Sequence, residues 1–257
     1  MSVVYLDCFA GISGDMVLGA LIDAGGDRAV LDATVEALRL GDEVEIDVRR
    51  EHRGHLSGTR VEVATRGRAH RTVPQLRAAL QEAQVPEDAK QNSLRALGLL
   101  ARVESELHDT DESHLHLHEL GGADTLVDLL GSFWLLNHLG VERVYASPLP
   151  APRGRHGEMP LPAPASVRVL AGTGAVFEES DEGKELVTPT GAAILTTLAT
   201  FRQPPMAIDR MALTGTMNKP ASETTTVAPL NTTAVPALDN ASRSDLSRSP
   251  VRAKSAR

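Results

Sequence analysis

Hydrophobic and polar positions divide the chain into short alternating elements. Val3 to Leu6 is an apolar run that meets Gly11, Ser13 and Gly14, the pattern of a buried strand ending in a tight loop. Asp15 to Ala24 repeats its apolar positions with helical spacing and stops at Gly25-Gly26, and Val30 to Leu38 predicts a second helix. From Val44 the period falls to two. Val44, Ile46 and Val48 alternate with charged residues, as do Val61 and Val63, with Arg53-Gly54 and Ser57-Gly58 between them, which predicts two antiparallel strands with one wet face each. Pro74 opens a helix to about Ala83 and Pro86 opens another, on which Leu94, Leu97, Ala101 and Leu107 form one apolar stripe. His114 to His118 alternates again, Asp124 to Leu139 is helical, and Val141 to Ala146 reads as a strand. Six prolines between Pro148 and Pro164 predict an ordered loop or lid, followed by short helices over Ala165 to Ala171 and Ala192 to Ala199. The expected fold class is α/β, a mixed sheet covered by helices.

Beyond about Pro220 the chain is rich in Ser, Thr, Ala and Pro with few large apolar residues. Such a segment is expected to stay disordered, because it buries too little surface to offset its ordering entropy. The expected organisation is therefore a domain over 1–209 and a disordered C-terminal tail over 210–257.

Composition and charge narrow the function classes. Hydrophobic residues make up 42% of the 257 but aromatics only 3%, so Ala, Val, Leu and Ile must build the core. The formal net charge is −8. The last 48 residues hold seven Lys or Arg against three Asp or Glu, a charge of +4, which leaves −12 on the first 209. So acidic a body lacks the electrostatic footprint of a nucleic-acid binder. Cys8 is the one cysteine, which excludes internal disulfides and Cys-rich zinc sites. The start has no basic region ahead of its short apolar run, and no apolar stretch is long enough for a membrane span. These features point to a cytoplasmic protein that needs neither nucleic acid nor membrane.

Three segments carry candidate chemistry. In DCFAGISGDM, Asp7 to Met16, a strand, a Gly-containing loop and a helix start aim backbone N–H groups at one spot, suited to a phosphate. Asp7 and Asp15 add carboxylates for a divalent cation, although a tight turn with Asp15 as helix cap explains the same pattern. In HLHLHELGGAD, His114, His116 and His118 would line one face of a strand, with Leu115 and Leu117 on the other. Neighbouring imidazoles on that face lie about 6.6 Å apart and the outer two about 13 Å, so two of the three are expected to bind one ion. Further ligands would come from Glu119, Asp124, Asp128 or elsewhere. Imidazole with carboxylate suits nickel, zinc, copper or iron, while a solvated strand edge followed by a capping Asp is the plainer alternative. The third constellation joins RGRHGEMPLPAPA, with Arg153, Arg155 and His156, to ELVTPTGAAIL, with Thr188 and Thr190 at a helix start. It could hold an anion, or be a basic loop plus an ordinary helix cap.

Four segments in one order, YLDCFAGISGDM, HLHLHELGGADTLVDLLG, SPLPAPRGRHGEMPLPAPA and ELVTPTGAAIL, closely resemble the LarC family of nickel-insertion proteins over roughly Ser2 to Asp209. The resemblance implies a nickel chelatase of the lyase class. It would insert nickel into pyridinium-3,5-bisthiocarboxylic acid mononucleotide at the expense of CTP, with magnesium or manganese, to form the nickel-pincer nucleotide used by lactate racemase-type apoenzymes. On that basis His114, His116, His118, Glu119, Asp124 and Asp128 are candidates for the metal. Gly11, Ser13, Gly14, Asp15, Arg153, Arg155, Thr188 and Thr190 are candidates for the nucleotide. Two departures stand out. Where many relatives carry a His-rich insertion this chain has RGRAHRTVPQL, with His70 alone, and after PPMAIDR the family's Gly-Tyr-Gly-Ala-Gly-like segment and CTP-binding C-terminal domain are replaced by MALTGTMNKP and the polar tail. Such an ending suggests a changed reading frame or a truncated gene product, with this chain supplying only the nickel-handling part. The competing expectations are a non-catalytic nickel-binding module that works with a separate C-terminal partner, and a metal-dependent phosphohydrolase built on Asp7, Asp15 and the histidines.

Overall fold

The computed structural model describes residues 2–53, 55–67, 71–112, 115 and 122–215, and the backbone of 231–236. Its centre is a five-stranded mixed sheet. Strands β1 (Ser2–Asp7) and β4 (Val141–Ala146) run parallel at its heart, and β9 (Ala199–Phe201) extends the parallel side. On the other edge β11 (Asn231–Pro236) lies antiparallel to β1, and β10 (Arg210–Leu213) antiparallel to β11. The alternation of β1 divides its side chains between two faces. Val4 and Leu6 enter the main core with Val144 and Ala146, while Val3, Tyr5 and Tyr145 form a small separate cluster with Met206.

Helices α1 (Gly14–Asp23), α2 (Arg28–Ala37), α4 (Glu87–His108), α5 (Ala123–His138) and α7 (Pro189–Leu198) supply most of the core. Helix α5 is apolar on nearly every side and touches α1, α2, α4 and α7, as expected of a buried helix. Its Phe133, with Leu18 and Leu21 of α1 and Leu97 and Leu100 of α4, is sealed from solvent. Each such side chain contributes about 1.5–3 kcal/mol of burial. Gly131 on α5 faces Leu18 and Leu31 so closely that an added Cβ would sit 3.1 and 3.2 Å from them, so a small residue sets the spacing of α1 and α2 against α5.

The two period-two segments form the antiparallel hairpin β2 (Val44–Arg53) and β3 (Leu56–Thr65). Asp23, at the end of α1, fastens it. Its carboxylate accepts from the Thr59 hydroxyl at 2.7 Å and from Leu213 N–H at 2.9 Å, which ties α1, β3 and β10 together. Among the described residues, no helix is long and apolar enough to cross a membrane.

Several boundaries differ from the sequence expectation. The proline-rich stretch contains β5 (Leu149–Pro152), which pairs in parallel with β8 (Phe177–Ser180), and the tiny hairpin of β6 (Arg155–His156) and β7 (Met159–Pro160), before α6 (Pro164–Leu170). Two-stranded pairings leave one side of every strand open, so proline is tolerated there. The last helix begins at Pro189 rather than Ala192, since proline suits the first helical turn. Strands β10 and β11 both fall within the stretch read from the sequence as tail. The β-branched Thr232, Thr233 and Val235 match strand propensity even where the stretch as a whole lacks apolar residues. Of the expected His114 to His118 strand, only Leu115 lies among the described residues, and it is buried in the core.

Candidate functional site

Three helix N-termini meet at one cavity of about 310 Å³, lined by Ser13, Gly14 and Asp15 of α1, Asp124, Thr125 and Asp128 of α5, and Thr188, Pro189 and Thr190 of α7, with Glu62, Val63 and Glu185. The convergence follows from local backbone rules. Gly11 has φ +97, a left-handed value that favours glycine, and a Cβ there would lie 2.0 Å from the Leu186 carbonyl oxygen. This close approach lets Ile12 N–H donate to Leu186 O at 2.8 Å and Thr188 N–H donate to Ile12 O at 3.0 Å, so the entries to α1 and α7 are stitched side by side. Gly191 completes the fit, since a Cβ on it would come within 2.5 Å of Ile12 O.

Carboxylates dominate the lining. The Ser13 hydroxyl donates a short hydrogen bond to Asp15. Burial raises the Asp15 carboxyl above its ordinary range, partly countered by that bond, by backbone N–H donors and by the Arg60 guanidinium. Asp128 is more extreme. Burial first, then the charges of Asp15 and Asp124, hold its carboxyl well above the usual carboxylate range. Its Oδ1 is buried with no hydrogen-bond partner among the described residues. Asp128 also packs directly on the first turn of α1, because Gly14 has no side chain. A Cβ on Gly14 would fall 2.2 Å from Asp128 Oδ2. An unpartnered oxygen beside two further carboxylates is a costly arrangement for an empty core and a fitting one for a cation.

The structure thus brings together Ser13, Gly14, Asp15, Asp124, Asp128, Thr188 and Thr190 from the sequence candidates. Gly11 shapes the loop behind them. Thr188 is the N-cap of α7, its hydroxyl accepting from Gly191 N–H at 3.2 Å. Arg153 and Arg155 are not part of this lining. Arg153 pairs with Glu179 at 2.8 Å and Arg155 donates to the Glu158 carbonyl at 2.8 Å, both at the exposed β6–β7 hairpin. His114, His116, His118 and Glu119 lie outside the described residues. Asp7 stands outside the cavity, raised by burial and bonded to Phe9 and Ser147. Cys8 is fully buried, and burial pushes its thiol far up, which leaves it unreactive.

Sequence reasoning missed Glu62 and Glu185. Glu62 sits among surface ion pairs with Arg49 at 3.0 Å and Arg60 at 3.3 Å, and nothing in its spacing distinguishes it from other charged positions of β3. Among the described residues, no three His, Cys, Asp or Glu side chains are already gathered in coordinating positions. Asp15, Asp124 and Asp128 line the cavity without such a gathering.

Fold and cavity define an α/β protein with a carboxylate-lined site suited to a divalent cation. The chain belongs to the nickel insertion protein family, whose model matches residues 4–229, a span that runs past Asp209 into the segment following β10. A relative from Roseiflexus castenholzii, provisionally named a nickel insertion protein, is 46% identical over 80% of this chain and 53% of its own length. A pyridinium-3,5-bisthiocarboxylic acid mononucleotide nickel insertion protein from Desulfitobacterium hafniense is 40% identical over 76% of this chain and 49% of its own. The chain spans about half the length of these curated relatives. No solved structure matches it.

Proposed function

We propose that this chain is the nickel-handling part of a nickel chelatase that loads pyridinium-3,5-bisthiocarboxylic acid mononucleotide. The observation that carries the reading is the unpartnered, buried Asp128 Oδ1 facing Asp15 and Asp124 where α1, α5 and α7 begin. Nickel is cargo here, so the site must bind it and also let it go. Asp15 and Asp128 hold Ni²⁺ with two of the His114–His118 imidazoles. Asp128 gives up its proton as the ion enters, and N–H groups at the starts of α1 and α7, with Thr190, take the nucleotide phosphate. Carboxylate and imidazole are harder ligands than the nucleotide's sulfurs, which sets the direction of transfer. The nucleotide carbon that joins the metal loses a proton, and a carboxylate freed by departing nickel is placed to accept it. By family resemblance CTP with magnesium or manganese drives insertion, and a lactate racemase-type apoenzyme receives the product.

Titration calorimetry with Ni²⁺ tests the metal assignment. The His116→Ala/His118→Ala double variant loses most bound nickel, and unchanged stoichiometry and affinity would overturn the site. A second reading is a non-catalytic nickel-binding module that works with a separate C-terminal partner. A turnover assay separates the two. Under the second reading, conversion of the bisthiocarboxylate nucleotide appears only after the C-terminal half of a full-length relative is added. CTP-dependent conversion by this chain alone would rule that reading out.

A further inference from the structure

A second cavity, of about 770 Å³, lies at the opposite end of α5, between the start of α4, β4 and β9. Its apolar lining is half-buried Val141 and Leu198 with the buried Phe133, Leu136 and Val144, and Arg95, Arg143 and Arg202 stand around it. The three arginines are exposed, and among the described residues none has a carboxylate within ion-pair distance. Arg95 donates instead to Asn92, and Arg143 and Arg202 to the Tyr145 hydroxyl, with Arg202 also lying 5.6 Å from the centre of the Tyr145 ring. Arg102 continues the cationic strip, lining an adjoining cavity of about 410 Å³ with Arg95, Thr196 and Thr197. Asp88 and Glu142 are the carboxylates of the larger cavity's lining. In a chain of net charge −8, four arginines gathered with no carboxylate partner among the described residues form a cationic patch suited to an anion.

We propose that this groove binds an organic phosphate of nucleotide size, its phosphates on Arg95, Arg143 and Arg202 and its body against the half-buried Val141 and Leu198. Guanidinium forks pair bidentately with phosphate oxygens, and three of them around one concavity suit more than one phosphate group. The cavity volume falls in the range of small-molecule sites. Gln91, Asn92 and Asn137 supply amides for a base or sugar. The site is separate from the acidic cavity and goes beyond the nickel reading. Asp124 and Asn137 stand at opposite ends of α5, about 20 Å apart along the helix, so both cavities can be filled at once.

The test is calorimetry of AMP, ADP, inorganic pyrophosphate and hexaglutamate with the whole chain in nickel-free buffer. ADP should bind more tightly than AMP. The Arg143→Gln/Arg202→Gln variant should weaken ADP about tenfold or more, and Arg95→Gln about threefold. The Arg143→Gln/Arg202→Gln variant should still bind Ni²⁺ as the unmodified chain does, which separates this site from the nickel reading. Should the double arginine variant fail to fold, Arg95→Gln on the exposed face of α4 decides the matter alone. No ADP binding, ADP binding indifferent to these arginines, or preference for hexaglutamate would overturn the proposal, the last in favour of an acidic protein partner.

Discussion

Replacing Asp15 and Asp128 together by asparagine should weaken Ni²⁺ binding on the order of a hundredfold and raise the melting temperature of the metal-free protein at neutral pH. Both effects have one origin. Burial raises the two carboxyls in the folded state, and the charges of Asp15 and Asp124 raise Asp128 further. A carboxyl raised on folding contributes its full stability below its unfolded pKa, and that contribution is lost as pH rises through the folded pKa. The metal-free protein should therefore lose stability upward from about pH 4, while the asparagine variant follows a flatter course and is more stable near pH 7 by on the order of 1 kcal/mol. Nickel inverts the comparison. At a hundred times its Kd it stabilises the unmodified chain by about 2.7 kcal/mol and should leave the variant nearly untouched. Thermal melts across pH, with and without Ni²⁺, measure all of this. A variant that melts lower than the unmodified protein in metal-free buffer at pH 7 would show that the carboxylates are satisfied without an ion.

Gly11→Ala should cost about 3 kcal/mol or more and disrupt the cavity with it. The methyl group meets both a left-handed backbone and the Leu186 carbonyl oxygen 2.0 Å away. Backbone, unlike a side-chain tip, cannot swing aside, so the α1 and α7 entries must part. Gly98→Ala is the control. It lies within α4 with nothing inside 4 Å of an added Cβ, and should stabilise by about 0.5–1 kcal/mol through helix propensity. Chemical denaturation of the two variants distinguishes close approach from a general intolerance of alanine. Equal effects at the two positions would contradict the stitching of α1 to α7.

How legible all this was depended on periodicity. The β2–β3 hairpin and α4 stood out because alternating Val44, Ile46 and Val48, and the Leu94–Leu107 stripe, bury one face and expose the other. Asp124 and Asp128 were placed on one helical face by spacing alone, and the structure sets both in the cavity. What spacing could not convey was the meeting of α1 with α7, which brings Ser13 and Thr190 together from opposite ends of the domain. Its signal was glycine, at Gly11 and Gly191, and a glycine reports close approach without naming what approaches. Arg153 and Arg155 looked like anion ligands because arginines near one another suit phosphate, yet neighbouring Glu179 and the Glu158 carbonyl engage them. The arginines without a carboxylate partner among the described residues, Arg95, Arg143 and Arg202, are dispersed over more than a hundred positions and carry no local motif.

The central place of β1 governs the order in which the molecule can form. Its neighbours come late in synthesis. The Cys8 N–H that closes onto the Ser147 hydroxyl waits for a residue 139 positions downstream, and the antiparallel partner of Ser2 is Pro236. At roughly 5–20 residues per second a ribosome needs on the order of ten seconds to reach β4 after β1 has been made. Through that interval Val3 to Leu6 is an apolar strand with two open edges, while the local β2–β3 hairpin and the pair of helix α3 (Val73–Glu82) with α4 can already assemble. The first strand to be translated is thus among the last to be paired, and a nascent chain of this topology depends on whatever shields β1 until β4 arrives.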